Sequence, residues 1–90
     1  MKQVKITVQG RVQGVGFRYC TKMLADQLHL NGYAKNLADG SVEIMAEGEP
    51  NHIATFIEKV KKSPSPSGHV THWSVEPVFN KPFQPGFRTL

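Results

Sequence analysis

Cysteine is nearly absent: Cys20 is the only one in 90 residues, so no disulfide can form within the chain, which suits a reducing compartment. Long apolar runs are missing too. None approaches the ~20 residues of a membrane span, and the opening Met1-Lys2-Gln3-Val4-Lys5 lacks the apolar block of a signal peptide. The expectation is a cytoplasmic protein that contacts no membrane. His29, His52, His69 and His72 show no three-ligand metal spacing, and the seven carboxylates are scattered without an acid–base pair. No Gly-Lys-Ser/Thr of a P-loop follows the glycines, whose spacing is not that of a dinucleotide site. Neither metal nor cofactor is expected. The length excludes multi-domain machinery and leaves residues 1–90 as one domain around one core.

What the chain does have is a glycine loop, Gly10-Arg11-Val12-Gln13-Gly14-Val15-Gly16-Phe17-Arg18, joining an alternating strand to a helix. Glycines let the backbone adopt positive φ and approach a ligand closely. Successive N–H groups then converge on one concavity, the following helix adds its positive end, and Arg18 adds a planar fork of donors. Two readings stand: a phosphate cradle, or a strand-to-helix turn that binds nothing. A net charge of +4 favours anionic partners without choosing among them. Lys59, Lys61 and Lys62 cluster at the end of a predicted helix, where cations suit the dipole, and read as a solvated face.

Val4, Ile6 and Val8 alternate with Lys5, Thr7 and Gln9, the period of a strand with one buried face. Phe17, Cys20 or Thr21, Leu24 and Leu28 then recur at helical spacing, with Asn31-Gly32 as the stop. Tyr33–Leu37 and Ser41–Glu47 form a predicted hairpin about Ala38-Asp39-Gly40. Pro50 opens a second helix whose inward stripe is Ile53, Phe56, Ile57 and Val60, and Ser-Pro-Ser-Pro-Ser-Gly ends it. A fourth strand is expected near Val70–Glu76, with Trp73 and Val75 inward, and a short extra one at Phe87–Leu90. This order predicts an α+β class, ferredoxin-like split βαβ sandwich (βαββαβ): an antiparallel sheet of order 4-1-3-2 with two helices on one face.

In that topology the first two strands run the same way with the third between them, so the glycine loop and Asn36 leave the same edge, roughly 10 Å apart. Asn36 either prepares the hairpin turn or completes a site with Arg18. Cys20 follows Arg18 and falls on the buried helix face, whereas a covalent cysteine phosphatase needs its thiolate upstream, within the phosphate loop. An anion cradle with one arginine and one carboxamide, but no strong acid, base or metal, suits a substrate with a good leaving group. An acyl phosphate is one: its carboxylate leaves without a general acid, its conjugate acid having a pKa near ~4. Arg18 and the loop amides would hold the phosphoryl oxygens while Asn36 orients water for in-line attack.

The same residues resemble the acylphosphatase family. Val8-Gln9-Gly10-Arg11-Val12-Gln13-Gly14-Val15-Gly16-Phe17-Arg18 matches its first signature, and Gly32-Tyr33-Ala34-Lys35-Asn36 with Gly40, Val42 and Gly48 its second. The resemblance covers nearly the whole chain and weakens in the Ser-Pro loop and after Glu76. It implies a ferredoxin-like fold, hydrolysis of small acyl phosphates without metal or covalent intermediate, catalytic roles for Arg18 and Asn36, and phosphate binding by Gln13, Gly14, Val15, Gly16, Phe17 and Arg18.

Three other readings differ in class or context. A relative of this domain opens larger maturation proteins that handle carbamoyl phosphate, and a chain of this length without their other domains points to the free enzyme. Ferredoxin-like sheets also bind single-stranded RNA, but the stacking aromatics that requires are absent from Ser41–Glu47. The third is a module that binds anions without turnover. The expected partner is a small-molecule acyl phosphate and no nucleic acid, and nothing visible demands more than a monomer.

Overall fold

The computed structural model describes residues 1–90. Its elements run β1 (Lys2–Arg11), α1 (Phe17–Gln27), β2 (Asn31–Asn36), β3 (Val42–Gly48), α2 (Pro50–Lys61), β4 (His69–Val78) and β5 (Phe87–Thr89). The sheet order is β4-β1-β3-β2-β5; every pairing is antiparallel except that β5 runs parallel to β2. The ferredoxin-like order 4-1-3-2 is therefore present, and the expected C-terminal strand extends it beyond β2. No helix is long and apolar enough to cross a membrane.

Alternation in β1 puts Val4, Ile6 and Val8 on one face, where they sit beside Val42, Ile44 and Ala46 of β3, all buried. Both helices cover this face. From α2 come Ile53, Phe56 and Val60, fully buried at i, i+3 and i+7, with Ile57 packed against them. From α1 come Phe17, Thr21 and Ala25 at i, i+4 and i+8. That row corrects the placement of Cys20: Thr21 holds the central position and the thiol is only half-buried.

Three more expectations shift. The reversal after α1 comes before Asn31, because His29 takes a left-handed φ of 56° and lets β2 start two residues early. Gly32 consequently lies inside β2, where a Cβ would come within 1.8 Å of the Met45 carbonyl oxygen. Trp73 does face the helix side, opposite Val8, but β4 is an edge strand beyond the helices. Its ring stays 50% exposed under the Lys61 ammonium, 4.0 Å from the centroid.

The tail is fixed by side chains that imitate backbone. Gln3 Nε2 donates to the Lys81 carbonyl at 2.8 Å while Lys81 N donates back to Gln3 Oε1 at 3.1 Å. Gly86 N donates to Asn31 Oδ1 at 2.9 Å, and Phe87 then inserts its ring edge-on to Phe56, centroids 6.1 Å apart. Leu90 N bonds the Ala34 carbonyl at 2.8 Å, which carries the end of the chain along β2 toward the start of α1.

Candidate active site

The loop from Val12 to Gly16 is built from alternation. Gly14 and Gly16 have φ of 74° and 75°, and a Cβ at either would meet nothing within 4 Å, so the left-handed backbone, not lack of space, calls for glycine. The side chain after each of these glycines turns inward: Val15 packs against the core and Phe17 is buried in it. Gln13 reaches across to the β2–β3 hairpin. What the loop offers a ligand is therefore main chain. None of the amide N–H groups from Val12 to Gly16 donates to any acceptor in the chain.

The N-terminus of α1 reinforces this. Its cap, Gly16, has no capping side chain, and no acidic residue sits in its first turn, so nothing within the helix competes for the positive end of its dipole. Arg18, in that turn, donates from Nη1 to the Leu90 main-chain oxygen at 2.6 Å. One donor is thus fixed by the tail while the rest of the guanidinium fork stays free. A cavity of about 350 Å³ opens here, lined by Val12, Gly14, Gly16, Phe17, Arg18, Tyr19, Lys22 and Thr89. Hollows of about 440 and 510 Å³ lie elsewhere, between the helices and over the open sheet face, and touch neither Arg18 nor Asn36.

Asn36 ends β2 on the helix-facing side. It pairs with Val42, which pairs with Val8, so one row crosses the sheet from the strand that feeds the loop to the carboxamide. Two strand spacings make that roughly 10 Å. Asn36 Oδ1 is buried without a hydrogen-bond partner. An unsatisfied buried acceptor costs about 1–3 kcal/mol, so the carboxamide is held in this orientation at the expense of stability. Asn36 does not line the 350 Å³ cavity; its link to the cradle runs through Gln13.

Gln13 Nε2 donates to the Leu37 and Ser41 carbonyls, both at 2.9 Å, tying the loop to the residue after Asn36 and to the far side of the turn. Gln13 belongs to the expected phosphate-binding set; its side chain is spent on the hairpin, and its main-chain N–H has no acceptor in the chain. The turn itself is closed by Asp39, which accepts from the Ser41 amide at 2.9 Å and from its hydroxyl. Those two bonds hold the Asp39 carboxyl below the usual carboxylate range. On the open sheet face, burial first, and then the bond to Glu43 and its charge, push the Tyr33 phenol up to about 12.

One participant was invisible in the sequence. Ser65, in the Ser-Pro loop, is buried and donates from Oγ to the Val15 carbonyl at 2.6 Å. The breaker-rich composition announced a turn there but not that it would hydrogen-bond the glycine loop. His69 and His72 lie on β4, and no trio of His, Cys, Asp or Glu gathers anywhere in the chain.

A family model for acylphosphatase matches residues 4–89. An acylphosphatase of Enterococcus faecalis is 53% identical over 76 residues, 84% of either chain. The crystal structure of acylphosphatase from Bacillus subtilis superposes with a TM-score of 0.94 at 46% identity, covering 100% of this chain and 99% of that one. The same fold recurs within full-length HypF in its phosphate- and nucleotide-bound form, with a TM-score of 0.88 and 29% identity over 99% of this chain but 12% of that one. By sequence and by fold, this chain belongs to the acylphosphatase family.

Proposed function

We propose that the protein is an acylphosphatase in which Arg18 and the main-chain amides of Gln13, Gly14, Val15, Gly16 and Phe17 hold the phosphoryl group and Asn36 orients the attacking water. The observation that carries this reading is the row of acceptor-free N–H groups from Val12 to Gly16, set at an uncapped helix N-terminus beside Arg18. Fixed donors of this kind need no reorganisation as charge redistributes over the phosphoryl oxygens.

Water attacks phosphorus opposite the acyl oxygen. The P–O bond to the acyl group breaks, the carboxylate departs with the bonding pair, and the water's proton leaves to a phosphate oxygen or to solvent. No general acid is needed, because carboxylate is a weak base. Asn36 contributes its amide oxygen as acceptor; a half-turn of the amide about its terminal torsion exchanges the buried oxygen with the nitrogen. Nothing in the scheme calls for a cofactor. The reading takes residues 1–90 as one acylphosphatase-like domain, acting as a monomer in the cytoplasm.

The test is hydrolysis of benzoyl phosphate in chelator, beside Asn36→Ala, Arg18→Ala and a phosphate monoester. Turnover that resists chelator and falls at least ~10²-fold in Asn36→Ala with phosphate inhibition retained supports the assignment. Arg18→Ala should lose both turnover and phosphate competition. Folded wild-type protein that binds phosphate without turnover would make the chain a binding module instead.

A further inference from the structure

We propose that Ser65 is a positioning residue for phosphate binding, acting through the Val15 carbonyl to aim the Gly16 N–H into the cradle; the inference rests on the cradle reading above. Ser65 comes from the loop between α2 and β4, fifty positions along the chain from Val15. It is 4% exposed and is not among the residues lining the 350 Å³ cavity, whereas Gly16 is. The hydroxyl therefore grips the loop from behind.

A peptide group is planar, and the one joining Val15 to Gly16 is trans, as every peptide in the chain is. Its carbonyl and its N–H point in opposite directions. Pinning the Val15 oxygen against Ser65 Oγ at 2.6 Å thus fixes the Gly16 N–H on the other side, where it has no acceptor in the chain. Gly16, at φ 75°, has wide conformational freedom and would otherwise let that plane turn.

Ser65 is itself held. Its N–H donates to Ser63 Oγ at 3.2 Å, its carbonyl accepts from Ser63 Oγ at 2.9 Å and from Gly68 N at 3.1 Å. Gly68 in turn lies so close to the Arg11 carbonyl and the Phe17 ring that an added Cβ would sit 3.3 and 3.4 Å from them. The loop is thus braced around Ser65, whose hydroxyl proton goes to the Val15 carbonyl.

The experiment compares wild type, Ser65→Ala and Ser65→Thr by phosphate inhibition of benzoyl phosphate hydrolysis, thermal midpoint, and amide NMR during phosphate titration. Loss of one aimed, charge-assisted donor should raise the inhibition constant about tenfold in Ser65→Ala and remove the phosphate-induced shift of the Gly16 amide. Ser65→Thr, which keeps the hydroxyl, should recover most of the affinity. A Ser65 that merely braces the loop would lower the midpoint while leaving the inhibition constant of the folded protein unchanged, and that result overturns the inference. The wild type gives a check that needs no variant: a Gly16 amide unmoved by saturating phosphate also overturns it. Wild-type protein with neither phosphate binding nor turnover would instead remove the cradle reading, and this inference with it.

Discussion

Replacing Gln13 with methionine separates a strut from a ligand. Methionine keeps the unbranched length of glutamine but has no amide donors, so packing changes little while both hydrogen bonds to the hairpin disappear. Neither carbonyl is orphaned, because Leu37 O still accepts from Gly40 N at 3.2 Å and Ser41 O from Leu37 N at 2.8 Å. The cost is then the net worth of two ordinary hydrogen bonds, about 1–2 kcal/mol, without the penalty for buried unpaired acceptors. For a domain of this size each kcal/mol moves the thermal midpoint by about 4–8 °C, so Gln13→Met should melt roughly 4–16 °C lower.

Function divides the two roles more sharply. If Gln13 holds the cradle against the Asn36 hairpin, kcat should fall about tenfold as the water-orienting group drifts, while phosphate inhibition shifts less than about threefold. If the side chain instead touches the phosphate, the inhibition constant rises with the loss of turnover. Urea unfolding at unchanged slope gives the stability, and steady-state kinetics gives the rest. A variant with wild-type midpoint and wild-type kcat would refute the strut.

Phe87→Ala should cost about 3–5 kcal/mol, as for a buried aromatic truncated against Phe56, and should also weaken phosphate inhibition, because β5 leads into Leu90, whose oxygen anchors Arg18. Urea unfolding and inhibition kinetics check both halves; lost stability with unchanged phosphate affinity would detach the tail from the site. For Tyr33, a folded value of about 12 above an unfolded value near ~10 means that its contribution is full below pH ~10 and lost as the pH rises toward 12. Denaturation between those limits should show less decline in Tyr33→Phe than in wild type; parallel curves would remove ionisation of the buried, Glu43-bonded phenol as the source of the decline.

The elements were legible wherever one residue's neighbours set its environment. Val4, Ile6 and Val8 announced a half-buried strand, Pro50 with Ile53, Phe56 and Val60 a helix, and Ala38-Asp39-Gly40 a turn, because each signal is local period or local backbone preference. Arg18 and Asn36 could be brought to one edge because the order of elements fixes which strand ends coincide. Apart from the early start of β2, set locally by the left-handed His29, the misreadings are long-range. Cys20 and Thr21 are equally good partners for Phe17 by spacing, and only the packing of α1 decided for Thr21. Trp73 has the right face but an edge strand to stand on. The short strand at Phe87–Leu90 was legible as a strand, but not its parallel place beside β2, which depends on Gln3 and Asn31 standing in for backbone partners that no sequence pattern marks.

The site follows the same division, and that has a consequence for mutation. A cradle made of main-chain N–H groups cannot lose a donor by substitution short of proline, so the identities of its own side chains matter chiefly for where they pack. Val15 and Phe17 serve the core, and Gln13 serves the hairpin. On the proposed reading, control over the anion passes to whatever fixes the direction of each peptide: left-handed Gly14 and Gly16 from within, Ser65 from behind, Gln13 from the side. Alanine at Val12 has little reason to disturb the donors beyond its loss from the core, whereas Ser65, which need not touch the substrate, governs one of them. Functional sensitivity in this fold should track the aim of the backbone more closely than distance from the phosphate.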